Sequence, residues 1–224
     1  MLTIIKQQIR YNITKRLPSH KIEYIVVHYT ANYSKGADAL THFKYFNGAN
    51  RNASADFFVD DHEILQVNDY RNNYTWHCGD GKGKYGITNR NSIGIEMCVN
   101  SDGDFNKTLH NTIELVRYLM KELKIDINHV VRHYDASRKL CPLMFCGNAE
   151  KDKAWVEFKN KLKGIKEMEE LTWQQKIVKE AYEAGLLTSD EWIAKAEQKA
   201  DIWFVCAMML NLEKKIKGWI KWQL

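Results

Sequence analysis

The chain has 224 residues, 45% hydrophobic and 27% charged, with a formal net charge of +5: enough apolar material for a packed core, and too little charge to mark a nucleic-acid binder by itself. No stretch approaches the roughly 18 uninterrupted apolar residues of a membrane helix, and the start, MLTIIKQQIRYN, has neither the apolar run nor the small-residue cleavage site of a secretory signal. Five irregularly spaced cysteines (Cys78, Cys98, Cys141, Cys146, Cys206) do not form a disulfide framework, so reduced thiols or metal binding are expected.

In chain order, IEYIVVHYT (22–30) is a β-branched and aromatic run that predicts a buried strand with His28 near its C-terminal end. KGADALTHFKYFN (35–47) has helical spacing at Ala39, Phe43 and Phe46. ADFFVDDHEILQV (55–67) predicts two strands joined by a tight turn, and NSIGIEMCV (91–99) alternates like a strand carrying Glu96. NKTLHNTIELVRYLMKEL (106–123) is an amphipathic helix with Leu109, Ile113, Val116 and Leu119 on one stripe. NHVVRHYD (128–135) follows as a short strand bearing His133, and EKDKAWVEFKNKLKGI (150–165) as a helix. This alternation predicts an α/β domain over 1–165 in which His28, Glu96 and His133, each near a strand end, face one cleft.

KGIKEMEE (163–170) lacks hydrophobic periodicity and is read as a linker. Beyond it, 172–187, a segment opening at Thr188–Asp190 and the apolar stretch ADIWFVCAMMLNLEKKIKGWIKW predict three helices, a small C-terminal module over 166–224. Charge also divides there. From Lys166 onward 9 lysines face 10 acidic residues, a net of −1, leaving +6 on the preceding part. A basic first part suits a polyanion such as an anionic cell wall, while the lack of a basic run with interleaved aromatics argues against nucleic acid.

Within VVRHYDASRKLCP (130–142), Cys141 can be a buried small hydrophobe, half of a disulfide or a metal ligand. Thiolate and imidazole together favour zinc over calcium or magnesium, and three protein ligands leaving one open position is the catalytic arrangement. Spacing alone does not choose among these readings.

The motifs IVVHYTA, SADFFVD, TWHCGDG, NRNSIGIEM and RHYDASRKLCP, in this order over roughly 20–163, resemble the type 2 zinc-dependent N-acetylmuramoyl-L-alanine amidases. That family includes phage endolysins, bacterial muropeptide amidases and animal peptidoglycan recognition proteins. The resemblance implies a mixed, mostly parallel sheet flanked by helices, with one zinc ion held by His28, His133 and Cys141. It further implies proton transfer by Glu96, catalytic assistance from Lys139 and a substrate-facing His77. The substrate it implies is bacterial peptidoglycan, cut between N-acetylmuramic acid and the L-alanine of the stem peptide. A phage or prophage endolysin is expected, made in the host cytoplasm and acting on the wall after release. A muropeptide-recycling amidase and a non-enzymatic peptidoglycan receptor are the alternatives, and Cys141 speaks against the receptor. Many relatives read Ser-Ala-His-Tyr where this chain has Ser54-Ala55-Asp56-Phe57, so a tyrosine-dependent mechanism is not expected. Neither is membrane insertion, whereas the C-terminal helices suit wall binding or self-association.

Overall fold

The structure is a computed structural model that describes residues 3–163, 172–183 and Leu212. The chain divides into two units, Met1–Lys163 and Gly164–Leu224. The first unit is a six-stranded sheet in the order β1-β5-β4-β7-β3-β8, with a separate two-stranded ribbon of β2 and β6. The strands are β1 (Ile4–Lys6), β2 (Ile13–Lys15), β3 (Tyr24–Tyr29), β4 (Phe57–Val59), β5 (Ile64–Gln66), β6 (Asn73–Thr75), β7 (Ser92–Met97) and β8 (Val130–Arg132). Every neighbouring pair in the large sheet is parallel except β4 with β5, which are antiparallel. The mixed, mostly parallel α/β sheet expected from the sequence is the one observed.

β3 and β7 lie in the middle of the sheet and are covered on both faces, which is why both read as nearly continuous apolar runs. On one face, Ile25, Val27, Ile93, Ile95 and Met97 join Phe57, Val59 and the apolar stripes of α2 (Phe105–Leu123) and α4 (Ala149–Leu162) in the largest core. The stripe of α2 buries Ile113, Leu115, Val116 and Leu119, and Asp104 caps its first turn by accepting from the amides of Asn106 and Lys107. On the opposite face, α1 (Ala39–Gly48) packs over β4, where Ala39 joins Phe58 in a second core flanked by Phe43 and Phe46. A third, smaller core of Val26, Cys78, Ile87 and Ala136 lies under α3 (His133–Ser137). The even-numbered side chains of β3 and β7 therefore rise between α1 and α3.

Of the second unit, α5 (Trp173–Glu183) is described. Its start is a capping box: the Gln175 amide donates to Thr172 Oγ1 (3.3 Å) and the Thr172 amide to Gln175 Oε1 (3.1 Å). Ile177 in α5 is 56% exposed. The expected linker after Lys163 and the two later helices lie outside the described residues, as does Cys206.

Candidate metal centre

His28 is the penultimate residue of β3, and its register partner on β7 is Glu96. Partners in register project from the same face, so the expected metal ligand and proton carrier stand side by side. Along β7 the same face carries Ser92, Gly94 and Glu96 at the two-residue period.

His133, expected at a strand end, instead opens α3 directly after β8. The cause is Asp135, whose carboxylate accepts from the Arg132 amide (2.8 Å) and pairs with the Arg132 guanidinium (3.0 Å), turning the chain from strand to helix. α3 ends where Arg138, at φ 70°, donates its amide to the Tyr134 carbonyl (2.8 Å). The chain then returns so that the Tyr134 amide donates to the Cys141 carbonyl (2.9 Å), which ties Cys141 to the first turn of α3. The Cys141 sulfur lies 3.8 Å from His28 Nδ1 and accepts from the Tyr29 amide.

One ligand atom from each of His28, His133 and Cys141 lies within 4.8 Å of the other two, and all three residues are buried. Among the described residues no other such group of His, Cys, Asp or Glu forms. Cys141 and Cys146 are both free thiols, which removes the disulfide alternative, and Cys78 and Cys98 are free and buried as well. His42 stacks on Phe58 (5.4 Å between centroids) and has no part in the centre.

The protonation states suit a metal. Burial, reinforced by the neighbouring His133, His77 and Lys139, holds the His28 imidazole well below its ordinary value. Burial also lowers His133, against the pull of Asp80, and holds His77 down to about 3. The rings are therefore neutral at pH 7 and offer lone pairs. Burial pushes the Cys141 thiol up to about 12, so it needs a cation beside it to become a thiolate. Two neutral imidazoles and one buried sulfur, converging with room for an ion, fit a borderline-soft divalent metal.

Glu96 is pushed up to about 7 by burial, with the charge of Lys139 working in the other direction. Among the described residues its buried Oε2 has no hydrogen-bond partner, an unmet acceptor beside the centre. Lys139 is exposed, and its charge reaches His28, His133, Asp80 and Glu96, which places the cation at the rim of the centre.

His77, expected to face the substrate, sits against His28. It is buried, with Nδ1 3.0 Å from His28 Nε2 and Nε2 3.0 Å from Ser92 Oγ. Two further residues were not expected here. Asp80 Oδ1 lies 2.7 Å from His133 Nε2, and Ser92 holds His77. Gly81 brings Asp80 in: a Cβ at this position would stand 2.2 Å from the Ala136 carbonyl oxygen, so only glycine lets the loop approach α3 this closely. Sequence offers one signal for Ser92, its period-two spacing from Glu96, and one for Asp80, its place in the TWHCGDG motif.

Asp56 serves the scaffold. Fully buried, its carboxylate accepts from Asn68 Nδ2 (2.7 Å), Thr75 Oγ1 (2.8 Å) and the Gly94 amide (2.8 Å). Burial raises its pKa and these three bonds oppose the rise. Ala55 lies in the core under α1 and carries no hydroxyl.

A family profile described as N-acetylmuramoyl-L-alanine amidase matches residues 18–143. The N-acetylmuramoyl-L-alanine amidase CwlH of Bacillus subtilis is 50% identical over 119 residues, covering 53% of this chain and 46% of that protein. XlyA of the same organism, also an N-acetylmuramoyl-L-alanine amidase, is 46% identical over 119 residues, covering 53% and 39%. This chain thus spans less than half of either relative. The structure of the catalytic domain of XlyA superposes with a TM-score of 0.61 at 39% identity, over 72% of this chain and 99% of that one. Because the profile spans more than half of the sequence and takes in the whole centre, the chain belongs to the N-acetylmuramoyl-L-alanine amidase family.

Proposed function

We propose that the chain is a zinc-dependent peptidoglycan hydrolase that cleaves the amide between N-acetylmuramic acid and the L-alanine of the stem peptide. The observation that carries this reading is the convergence of His28, His133 and Cys141 within 4.8 Å, beside Glu96, whose Oε2 has no hydrogen-bond partner among the described residues. An amide is a weak electrophile with a poor leaving group. When bound, zinc supplies Lewis acidity to the scissile carbonyl and makes water nucleophilic near neutral pH. Glu96 takes a proton from the attacking water and returns it to the departing alanine nitrogen, a double task suited to a carboxyl held at about 7. Lys139 offers a positive charge to the oxygen on which negative charge develops. The cation matters more here because a thiolate ligand leaves the centre less positive than three histidines would.

Purified protein incubated with bacterial cell walls is expected to release new L-alanine amino termini without new reducing sugar ends. Chelation abolishes the release and zinc restores it. Reducing ends instead of amines, or activity indifferent to chelation, overturns the proposal. Parallel assays on insoluble walls and soluble muropeptides separate an endolysin, which we favour, from a recycling amidase. As an endolysin the chain would be made in the host cytoplasm and reach the wall once the cell is permeabilised. Among the described residues no helix is long and apolar enough to cross a membrane.

Lys139→Ala is expected to keep zinc and lower turnover by a factor on the order of 10–10². This falls short of the roughly 10²–10³ of a buried oxyanion donor, because the side chain is exposed and screened. Unchanged kinetics in a zinc-loaded variant make Lys139 a surface cation only.

In this reading residues 1–165 form the catalytic domain and 166–224 a helical module that holds the enzyme on the wall, where tethering raises the local concentration of substrate. Trp219 and Trp222 in KGWIKW, flanked by Lys217 and Lys221, are the proposed wall-facing residues. Trp219→Ala/Trp222→Ala in the full chain is expected to abolish sedimentation with walls while sparing cleavage of soluble muropeptides. Unchanged sedimentation, with a concentration-dependent oligomer in light scattering, would make the module one for self-association through IWFVCAMML.

A further inference from the structure

We propose that His77 is a positioning residue for the metal centre: it accepts a hydrogen bond from His28 Nε2 and thereby fixes the His28 tautomer that turns a lone pair at Nδ1 toward Cys141. The inference rests on the metal-dependent reading above and concerns how this chain prepares one of its ligands.

The polarity of the arrangement is set at its far end. Ser92 Oγ donates its single proton to the Thr88 carbonyl (2.5 Å), and a carbonyl can only accept. Toward His77 Nε2, at 3.0 Å, Ser92 Oγ is therefore an acceptor, and His77 carries its proton on Nε2. A neutral imidazole with a proton on Nε2 has a bare Nδ1. That atom lies 3.0 Å from His28 Nε2, which must then be the donor. The remaining His28 nitrogen, Nδ1, is the one 3.8 Å from the Cys141 sulfur. With a neutral His77, direction passes from the Thr88 carbonyl through Ser92 and His77 to His28.

The backbone around His77 supports the same role. The side-chain carbonyl of Asn89 accepts from the amides of His77 (3.1 Å) and Cys78 (2.8 Å), which pins the loop. The imidazole lies so close against Gly94 of β7 that a Cβ there would stand 2.5 Å from His77 Cγ. The Gly94 amide is in turn held by Asp56 Oδ2 (2.8 Å). The ring thus has one position open to it, with its two nitrogens aimed at Ser92 and His28. The second histidine ligand follows the same pattern, since His133 Nε2 faces Asp80 and leaves its Nδ1 free. Outer hydrogen bonds of this kind orient a ligand and raise its basicity, and their loss costs roughly 10–100-fold in metal affinity.

The test compares His77→Phe, which keeps a planar ring but has no acceptor, with His77→Asn, whose side-chain oxygen falls near the position of Nδ1. Zinc affinity of the full chain is measured by competition with a chromophoric chelator. The Phe variant is expected to bind zinc roughly 10–100-fold more weakly, and the Asn variant to recover most of that loss. Nitrogen-15 NMR of the zinc-loaded wild type is expected to show His28 with its proton on Nε2 and Nδ1 bound to metal. Equal affinity in the Phe variant, equal loss in both variants, or metal on His28 Nε2 each overturns the assignment. The NMR experiment decides even where a variant fails to fold. A wild-type chain that binds no zinc overturns the proposed function itself, a different outcome from a zinc-binding chain indifferent to His77.

Discussion

Cys141→Ser is expected to lose both zinc and amidase activity while the sheet remains folded. Sulfur is the one ligand atom here that must carry negative charge, and burial makes that charge expensive without a cation. A serine hydroxyl is a far weaker acid than a thiol and a far poorer zinc ligand. The loss of affinity should therefore exceed the roughly 10–100-fold that accompanies loss of an outer partner. The position itself tolerates serine: the Tyr134 amide bonds the backbone carbonyl of residue 141 rather than the sulfur, and the Tyr29 amide can donate to a hydroxyl as it does to sulfur. Elemental analysis of the purified variant and its melting temperature check the two halves of this expectation. Full zinc occupancy in the serine variant removes Cys141 from the site. A collapse of folding in metal-free buffer, relative to the metal-free wild type, makes the sulfur structural instead.

How much of this was readable beforehand depended on range. The β3 and β7 strands were legible because a strand covered on both faces must be apolar at nearly every position, and His28 and Glu96 stand out against that background. The α2 stripe was legible for the same reason, a period of 3.6 imposed by one buried face. β1, β2 and β6 were not: each is three residues long, and their pairings join segments tens of residues apart. The short helix beginning at His133 depends on Asp135 reaching back to Arg132, a capping contact that competes with a local β-branched pattern favouring strand. The roles of His77, Ser92 and Asp80 are tertiary facts. His77 meets His28 49 residues away and Asp80 meets His133 53 residues away, distances at which sequence spacing carries no information. Asp56 shows the limit from the other side. Its departure from the family pattern was visible, but only its three hydrogen bonds reveal that the change supports β7 rather than the chemistry.

Glu96→Gln is expected to bind zinc like the wild type and to lose turnover by a factor on the order of 10²–10⁴, the usual weight of a positioned general acid–base. The substitution preserves shape and one oxygen, so the β3–β7 register that sets residue 96 beside His28 is not disturbed. What it removes is the capacity to take a proton and hand it on. The carboxyl is prepared for that exchange by two opposed influences. Burial makes its charged form costly and raises its pKa to about 7, while Lys139 draws it back. Among the described residues its Oε2 has no hydrogen-bond partner. The loss should therefore fall on kcat with little change in KM, because the group acts on the proton in the transition state rather than on substrate binding. Steady-state kinetics on a soluble muropeptide, with zinc content measured on the same preparation, read both parameters. A zinc-loaded Gln variant turning over at near the wild-type rate leaves Glu96 as a neighbour of the ligands only, and the proton carrier would have to be sought elsewhere at the rim.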